Sequence, residues 1–225
     1  MSAPADTNKT GQQTQRFLIN GNEKFGMSKE VSQIYYPADQ ATVVGECFNL
    51  AQEHIPLITD SAEQGFEAYR HTPVPKRIEI LNNLAHLLQK QKEDFARLIT
   101  MEAGKPISLS RVEVARAIDV CRMYARQLEE DGTKTLYLDG KTATVKRVPV
   151  GPVLAITPYN FPLNLVMHKL APAIAAGCSF TVKPAPQAPL TALKLGRLAV
   201  EAGYRFINVV PAKNSVAEAL VRADA

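Results

Sequence analysis

From residue 150 onward the sequence alternates short apolar runs with helical segments, and this alternation restricts the fold more than any other feature. Val153-Leu154-Ala155-Ile156, Cys178–Val182 and Phe206–Val210 read as strands. Helices are predicted over 163–176 and 189–202, the second stopped by Gly203, and another begins over 214–223. Strands that are apolar throughout and separated by helices pair in parallel, because each crossover helix covers one face. The expectation is an α/β chain with an incomplete parallel sheet of three strands. Three strands leave an unpaired edge and uncovered apolar surface.

The preceding residues divide into three stretches. Residues 1–15 are polar and read as a disordered tail. Phe17-Leu18-Ile19 is a short strand entering an Asn20-Gly21-Asn22 hairpin turn, since Asn-Gly tolerates the positive φ such turns need. Residues 60–130 are predicted helical. One apolar stripe runs through Ile78, Leu81, Leu84/Ala85 and Leu88, and continues through Phe95, Leu98 and Ile99. Gly104-Lys105-Pro106 stops that helix. The next spans about 107–130, with Val114, Ala117/Ile118, Cys121, Ala125 and Leu128 facing a core. Thr135-Leu136-Tyr137-Leu138 and Thr142-Ala143-Thr144-Val145 flank Asp139-Gly140 as a second hairpin, whose Lys141, Lys146 and Arg147 protect an edge with charge.

Composition narrows the function classes. In 225 residues, 46% are hydrophobic and 21% charged, enough apolar surface to offset chain entropy. The net charge of +4 is scattered, which points away from nucleic acid and membrane surfaces as partners. Cys47, Cys121 and Cys178 are odd in number, far apart and without a Cys-x-x-Cys pair, so neither a disulfide framework nor a metal site is expected. A reduced, cytoplasmic setting fits free thiols. No secretory signal is read at Met1–Gln15. The apolar stretch Val148–Val182 is interrupted by five prolines and by Asn160, Asn164, His168 and Lys169, and is not read as a membrane span.

The chemistry concentrates in Ile156-Thr157-Pro158-Tyr159-Asn160-Phe161-Pro162, which follows a strand and precedes a helix. Ligands of open parallel sheets bind beyond the carboxyl ends of the strands. Pro158 and Pro162 stiffen this loop by fixing φ. Asn160 between them offers an amide donor suited to an oxyanion. It is equally able to cap the following helix, and local chemistry leaves both readings open. Lys183 ends the next strand, where its ammonium can donate to ribose hydroxyls or phosphate, or stand solvated.

Together these elements resemble the aldehyde dehydrogenase superfamily, from about Phe17 to the last residue. The most specific matches are Arg147-Val148-Pro149-Val150-Gly151-Pro152, Thr157-Pro158-Tyr159-Asn160-Phe161-Pro162, Ala175-Ala176-Gly177-Cys178, Val182-Lys183-Pro184 and Asn208-Val209-Val210-Pro211. Glu102-Ala103-Gly104-Lys105-Pro106 and Lys76-Arg77-Ile78-Glu79-Ile80-Leu81 support them. The resemblance implies a Rossmann-like fold and NAD(P)-dependent oxidation of an aldehyde to a carboxylic acid. It implies an oxyanion role for Asn160, a cofactor-lining loop of Ile156, Thr157, Pro158, Tyr159 and Asn160, and a ribose contact from Lys183, with Ala185 and Pro186 beside it. The hairpin over 134–148 is similar to the family's oligomerisation arm, which implies a homo-oligomer. The style of the sequence is similar to members acting on small hydroxy- or phospho-aldehydes.

Two departures stand out. NAD-preferring members often carry Glu two residues after the Pro of the Lys-Pro pair, and here that residue is Pro186. Pro186 neither accepts from ribose hydroxyls nor repels a 2′-phosphate, so the cofactor is expected to be NADP or NAD, with NADP tolerated or preferred. The family's glycine-containing cofactor turn, base glutamate and nucleophilic cysteine are not found. The expected organisation is a helical part over 16–133, the hairpin at 134–148, and the first half of a cofactor region over 149–225, with the catalytic domain absent. None of Cys47, Cys121 and Cys178 has a recognisable general base, and His168 reads as structural or solvated. The 225 residues alone are expected to be inactive. A catalytically inactive nucleotide-binding or assembly protein of the same fold is the alternative.

Overall fold

The computed structural model describes residues 14–24, 28–130 and 134–223. Asn20 and Gly21, at φ 49° and 69°, make the tight turn between β1 (Leu18–Ile19) and β2 (Asn22–Glu23). A second hairpin follows, β3 (Val31–Tyr35) with β4 (Val43–Phe48). Four helices come next: α1 (Ile55–Tyr69), α2 (Val74–Lys90), α3 (Lys92–Ala103) and α4 (Ile107–Glu130). The third hairpin is β5 (Lys134–Leu138) with β6 (Lys141–Val145). The chain then runs through β7 (Val153–Ile156), α5 (Asn164–Ala176), β8 (Phe180–Lys183), α6 (Leu190–Glu201), β9 (Ile207–Val209) and α7 (Asn214–Arg222).

The periodicities become buried faces. Leu81, Leu84 and Leu88 of α2, Phe95 and Ile99 of α3, and Val114, Ala117 and Cys121 of α4 are all fully buried. These stripes lock α2, α3 and α4 together and carry them onto α5 and α6. Gly104 closes α3 with φ 68°, as the Gly-Lys-Pro stop requires. Tyr69, Tyr204 and Phe206 pack together, two of the three ring pairs edge-on and one tilted, with centroids 4.9–6.0 Å apart. The Tyr69 hydroxyl donates to the Ile174 carbonyl at 3.0 Å and the Tyr204 hydroxyl to Cys178 at 2.7 Å, satisfying both buried groups.

The main sheet has the order β2-β1-β9-β8-β7. β7, β8 and β9 are parallel as expected. β1 joins β9 antiparallel, with Leu18 opposite Val209, so the sheet is mixed and has five strands rather than three. The amino-terminal hairpin fills the edge expected to stand open there. β7 is the other edge among the described residues, and its Leu154 and Ile156 are 40% and 44% exposed. The expectation of a strand covered on both faces therefore does not hold at β7.

Most of the predicted tail lies outside the described residues. Thr14 and Gln15 do not belong to it: Thr14 is buried, and Gln15 exchanges backbone bonds with β4 through Glu46 (2.7 Å) and Phe48 (3.0 Å).

α6 lies directly on the sheet at Gly196. A Cβ there would stand 2.5 Å from Val209 Cγ2 and 2.7 Å from Leu18 Cδ1. Gly196→Ala is expected to cost about 1–3 kcal/mol by overpacking, although alanine favours a helix. A lowered denaturant midpoint with unchanged slope would register this; an unchanged or raised midpoint would contradict it.

Candidate functional site

β7 and β8 end side by side. Ile156 pairs with Lys183, and the Thr157 N–H donates to the Lys183 carbonyl at 3.2 Å, extending the ladder one residue into the loop. The loops after the two strands therefore leave the carboxyl edge of the sheet together, where ligands of open α/β sheets bind. On the first, Thr157 is buried, whereas Pro158, Tyr159, Asn160 and Phe161 are exposed. On the second, Ala185 is buried and Pro186 half-buried, and the Ala188 N–H closes a turn onto the Ala185 carbonyl at 3.0 Å.

Asn160 does not cap α5. The N-cap is Leu163, which has no oxygen to offer, and no local side chain bonds the first turn. The cap comes from Glu113 on α4. Its Oε1 accepts from the backbone N–H groups of Leu163 (3.0 Å) and Asn164 (3.1 Å). Its Oε2 pairs with the Lys105 ammonium. Glu113 is 1% exposed, and a carboxylate there is tolerated because all three partners are donors or positive. Lys105 also lies 3.8 Å from the Phe161 ring centroid. Of the two readings of Asn160, the capping one falls. Its side chain has no hydrogen-bond partner among the described residues, which leaves two donors free at the sheet edge.

Lys183 is 2% exposed. Its Nζ donates at 3.1 Å to Asn214 Oδ1, at the first residue of α7, and to nothing else among the described residues. Burial pulls its pKa below the ordinary lysine value. An ammonium has three donors, so two remain for a ligand's oxygens. The loop beyond Lys183 leads into α6, whose start is held by a second buried glutamate. Glu102 of α3 accepts from the backbone N–H groups of Leu190 and Thr191 (2.9 Å) and from the Thr191 hydroxyl (2.6 Å). Burial pushes its carboxyl up to about 7, against the pull of those donors.

The register thus brings Ile156 and Thr157 alongside Lys183, with Pro158, Tyr159 and Asn160 on one loop and Ala185 and Pro186 on its neighbour. Sequence reasoning missed Glu113 and Asn214, and it took Glu102 and Lys105 only as part of a family match, without the contacts they make. One signal was present: Glu113 sits next to the apolar stripe at Val114, where a charge needs a partner.

The cysteines lie away from any such arrangement. Cys47, Cys121 and Cys178 are all at most 1% exposed, and burial pushes the first two thiols up to about 12. Nucleophilic thiols need thiolate character and access. The folded protein at mildly alkaline pH is therefore expected to leave all three unreacted with an aromatic disulfide reagent, and to release all three in guanidinium. Rapid reaction of any one in the native state would contradict this burial. His168 is exposed on α5. Among the described residues no group of three His, Cys, Asp or Glu side chains could hold a metal ion, and no helix is long and apolar enough to cross a membrane. The β5–β6 hairpin forms its own two-stranded sheet, and the β6 side chains are exposed, as is Tyr137 of β5 at 81%.

Comparison with known proteins bears on this arrangement. A sequence model of the aldehyde dehydrogenase family matches residues 26–225. Lactaldehyde dehydrogenase of Methanocaldococcus jannaschii is 39% identical over 160 residues, covering 71% of this chain and 34% of that protein. 3-Sulfolactaldehyde dehydrogenase of Priestia aryabhattai is 42% identical over 144 residues, 61% of this chain and 30% of that one. The crystal structure of NADP-dependent glyceraldehyde-3-phosphate dehydrogenase from Bacillus halodurans C-125, complexed with NADP, superposes with a TM-score of 0.87 at 31% identity, covering 93% of this chain and 46% of that one. The chain spans about a third of the length of these two curated relatives.

Proposed function

The chain belongs to the aldehyde dehydrogenase family, and on that premise we propose that its β7 and β8 loops form the dinucleotide cradle and carbonyl-polarising donor of an NAD(P)-dependent enzyme that oxidises a small hydroxy-aldehyde to its carboxylic acid. The observation that carries this reading is the pairing of Ile156 with Lys183, which sets the two loops side by side with unspent donors on each. The relatives' names, lactaldehyde, 3-sulfolactaldehyde and glyceraldehyde-3-phosphate dehydrogenase, support a hydroxyl next to the reacting carbonyl as a substrate feature, and the last two add an anionic group at the far end.

Bound NAD(P)⁺ supplies the hydride acceptor. The residues of this chain bind and orient. Lys183 offers its two spare N–H donors to the adenosine ribose or a 2′-phosphate, and Ala185 and Pro186 present no carboxylate to repel that phosphate. Thr157 and Pro158 form the rigid floor of the nicotinamide side. The Asn160 amide donates to the substrate's carbonyl oxygen as negative charge grows on it, and a neutral, pre-positioned donor loses little in reorganising. The exposed hairpin at 134–148 docks on a second copy, so the assembled enzyme is a homo-oligomer. Three buried free thiols suit the cytoplasm.

The cofactor choice is testable directly. Titration of the protein at its natural encoded length is expected to give NADP⁺ binding equal to or tighter than NAD⁺. A preference for NAD⁺ of about tenfold or more would contradict the role given to Pro186. For the reaction, lactaldehyde added with NADP⁺ should produce reduced nicotinamide absorbance. Cofactor binding without any aldehyde-dependent reduction would instead favour a nucleotide-binding or assembly protein. The 225 residues by themselves should bind cofactor without turnover, since all three cysteines are inaccessible.

A further inference from the structure

We propose that Lys105 and Glu113 are positioning residues for catalysis, holding the Asn160 loop in its working shape. The proposal rests on the reading of Asn160 as the carbonyl donor. It assigns Lys105 and Glu113 no contact with substrate or cofactor, only contacts with the loop.

The loop from Thr157 to Leu163 is anchored at its start by the β7–β8 ladder. Its other end has no local side-chain cap, because Leu163 has no oxygen to offer the first N–H groups of α5. Glu113 supplies that anchor from a helix 50 residues earlier in the chain, through two bonds to consecutive N–H groups. These lie three and four residues after Asn160. Lys105 holds the middle, with its ammonium between the Glu113 carboxylate and the Phe161 ring, the residue next to Asn160. Asn160 itself is exposed and bonded to nothing among the described residues, so its placement depends on its neighbours. The Phe161 carbonyl accepts from Leu165 at 3.0 Å, tying the same residue into the first turn of α5. Lys105 reaches this position because Gly104 turns the chain sharply between α3 and α4.

The packing also explains why the device uses a charge pair. A neutral glutamine at 113 keeps one acceptor for the two N–H groups but loses the attraction to Lys105, which is then free to leave the Phe161 ring. The loop keeps its anchor yet gains freedom at Asn160. Small displacements of a catalytic group cost rate out of proportion to stability.

The test is a double-mutant cycle in the protein at its natural encoded length, with aldehyde turnover measured per folded subunit. E113Q is expected to lower kcat by about 10- to 100-fold while leaving the Kd for NADP⁺ within about twofold. In the N160A background the same substitution should have no further effect on kcat, because a misplaced donor and an absent one are equivalent. A loss by the same factor in both backgrounds, or kcat of E113Q within about threefold of the parent, would overturn the proposal. Should E113Q fail to fold, K105M, which leaves both backbone bonds in place, carries the same cycle with the same criteria. If N160A alone leaves turnover within about threefold of the parent, the reading of Asn160 fails instead, and that outcome is distinct.

Discussion

Asn160→Ala is expected to lower kcat by about 10²- to 10³-fold while leaving folding intact. The rate effect follows from losing the only side-chain amide on the exposed part of the β7 loop. The absence of a stability effect follows from the geometry. Asn160 is exposed, caps nothing, and has no protein partner among the described residues, so its removal should change the denaturant midpoint by no more than a surface substitution does, about 0.5 kcal/mol. Asn160→Asp is the sharper variant. It keeps the shape but presents a carboxylate to a developing negative charge, and its rate should fall at least as far as that of the alanine variant. Measuring kcat and unfolding on the same preparations separates chemistry from folding.

Gly177→Ala is expected to be strongly destabilising for a single added methyl, costing about 2.5–5 kcal/mol. Gly177 ends α5 at φ 87°, a conformation that costs an alanine about 1–2 kcal/mol. Its Cβ would also stand 2.6–2.7 Å from the Arg77 guanidinium. Arg77 cannot simply swing away. Its three nitrogens donate to the carbonyls of Thr72 (2.8 Å), Ala175 (3.2 Å) and Arg70 (3.0 Å), tying the start of α2 to the end of α5. Displacing a charged donor from such bonds costs about 1.5–3 kcal/mol. Against a typical total stability of about 5–15 kcal/mol, this should appear as a large fall in the chemical-denaturation midpoint. A midpoint within error of the parent would mean that Arg77 is not the brace described.

The parts of the fold that were legible in the sequence are those set by local pattern. The stripes of α2 and α4, the Gly104 stop, the Asn20-Gly21 turn and the alternation from β7 to β9 each rest on periodicity or turn chemistry within a short window. The β3–β4 hairpin was not legible, because Val31-Ser32-Gln33-Ile34-Tyr35 is mostly exposed and carries no clear apolar face. The pairing of β1 with β9 joins residues nearly two hundred positions apart, and no local signal encodes it. The site divides in the same way. Loop stiffness at Pro158 and Pro162 and the strand-end position of Lys183 could be read directly. Whether Asn160 capped a helix could not, because the answer lay with Glu113 on a distant helix. The family resemblance named the candidate roles, and the long-range contacts supply physical reasons for the positions of those residues.

A crystal structure of the protein with NADP⁺ is the most direct measurement of the central claim, that two adjacent strand ends grip one dinucleotide. The account predicts Lys183 Nζ within hydrogen-bonding distance of the adenosine ribose or its 2′-phosphate, and the nicotinamide ring against Thr157 and Pro158 with the Asn160 amide facing the same space. A cofactor bound elsewhere on the chain, or Asn160 turned away from the ring while Lys183 makes no contact with the cofactor, would contradict it.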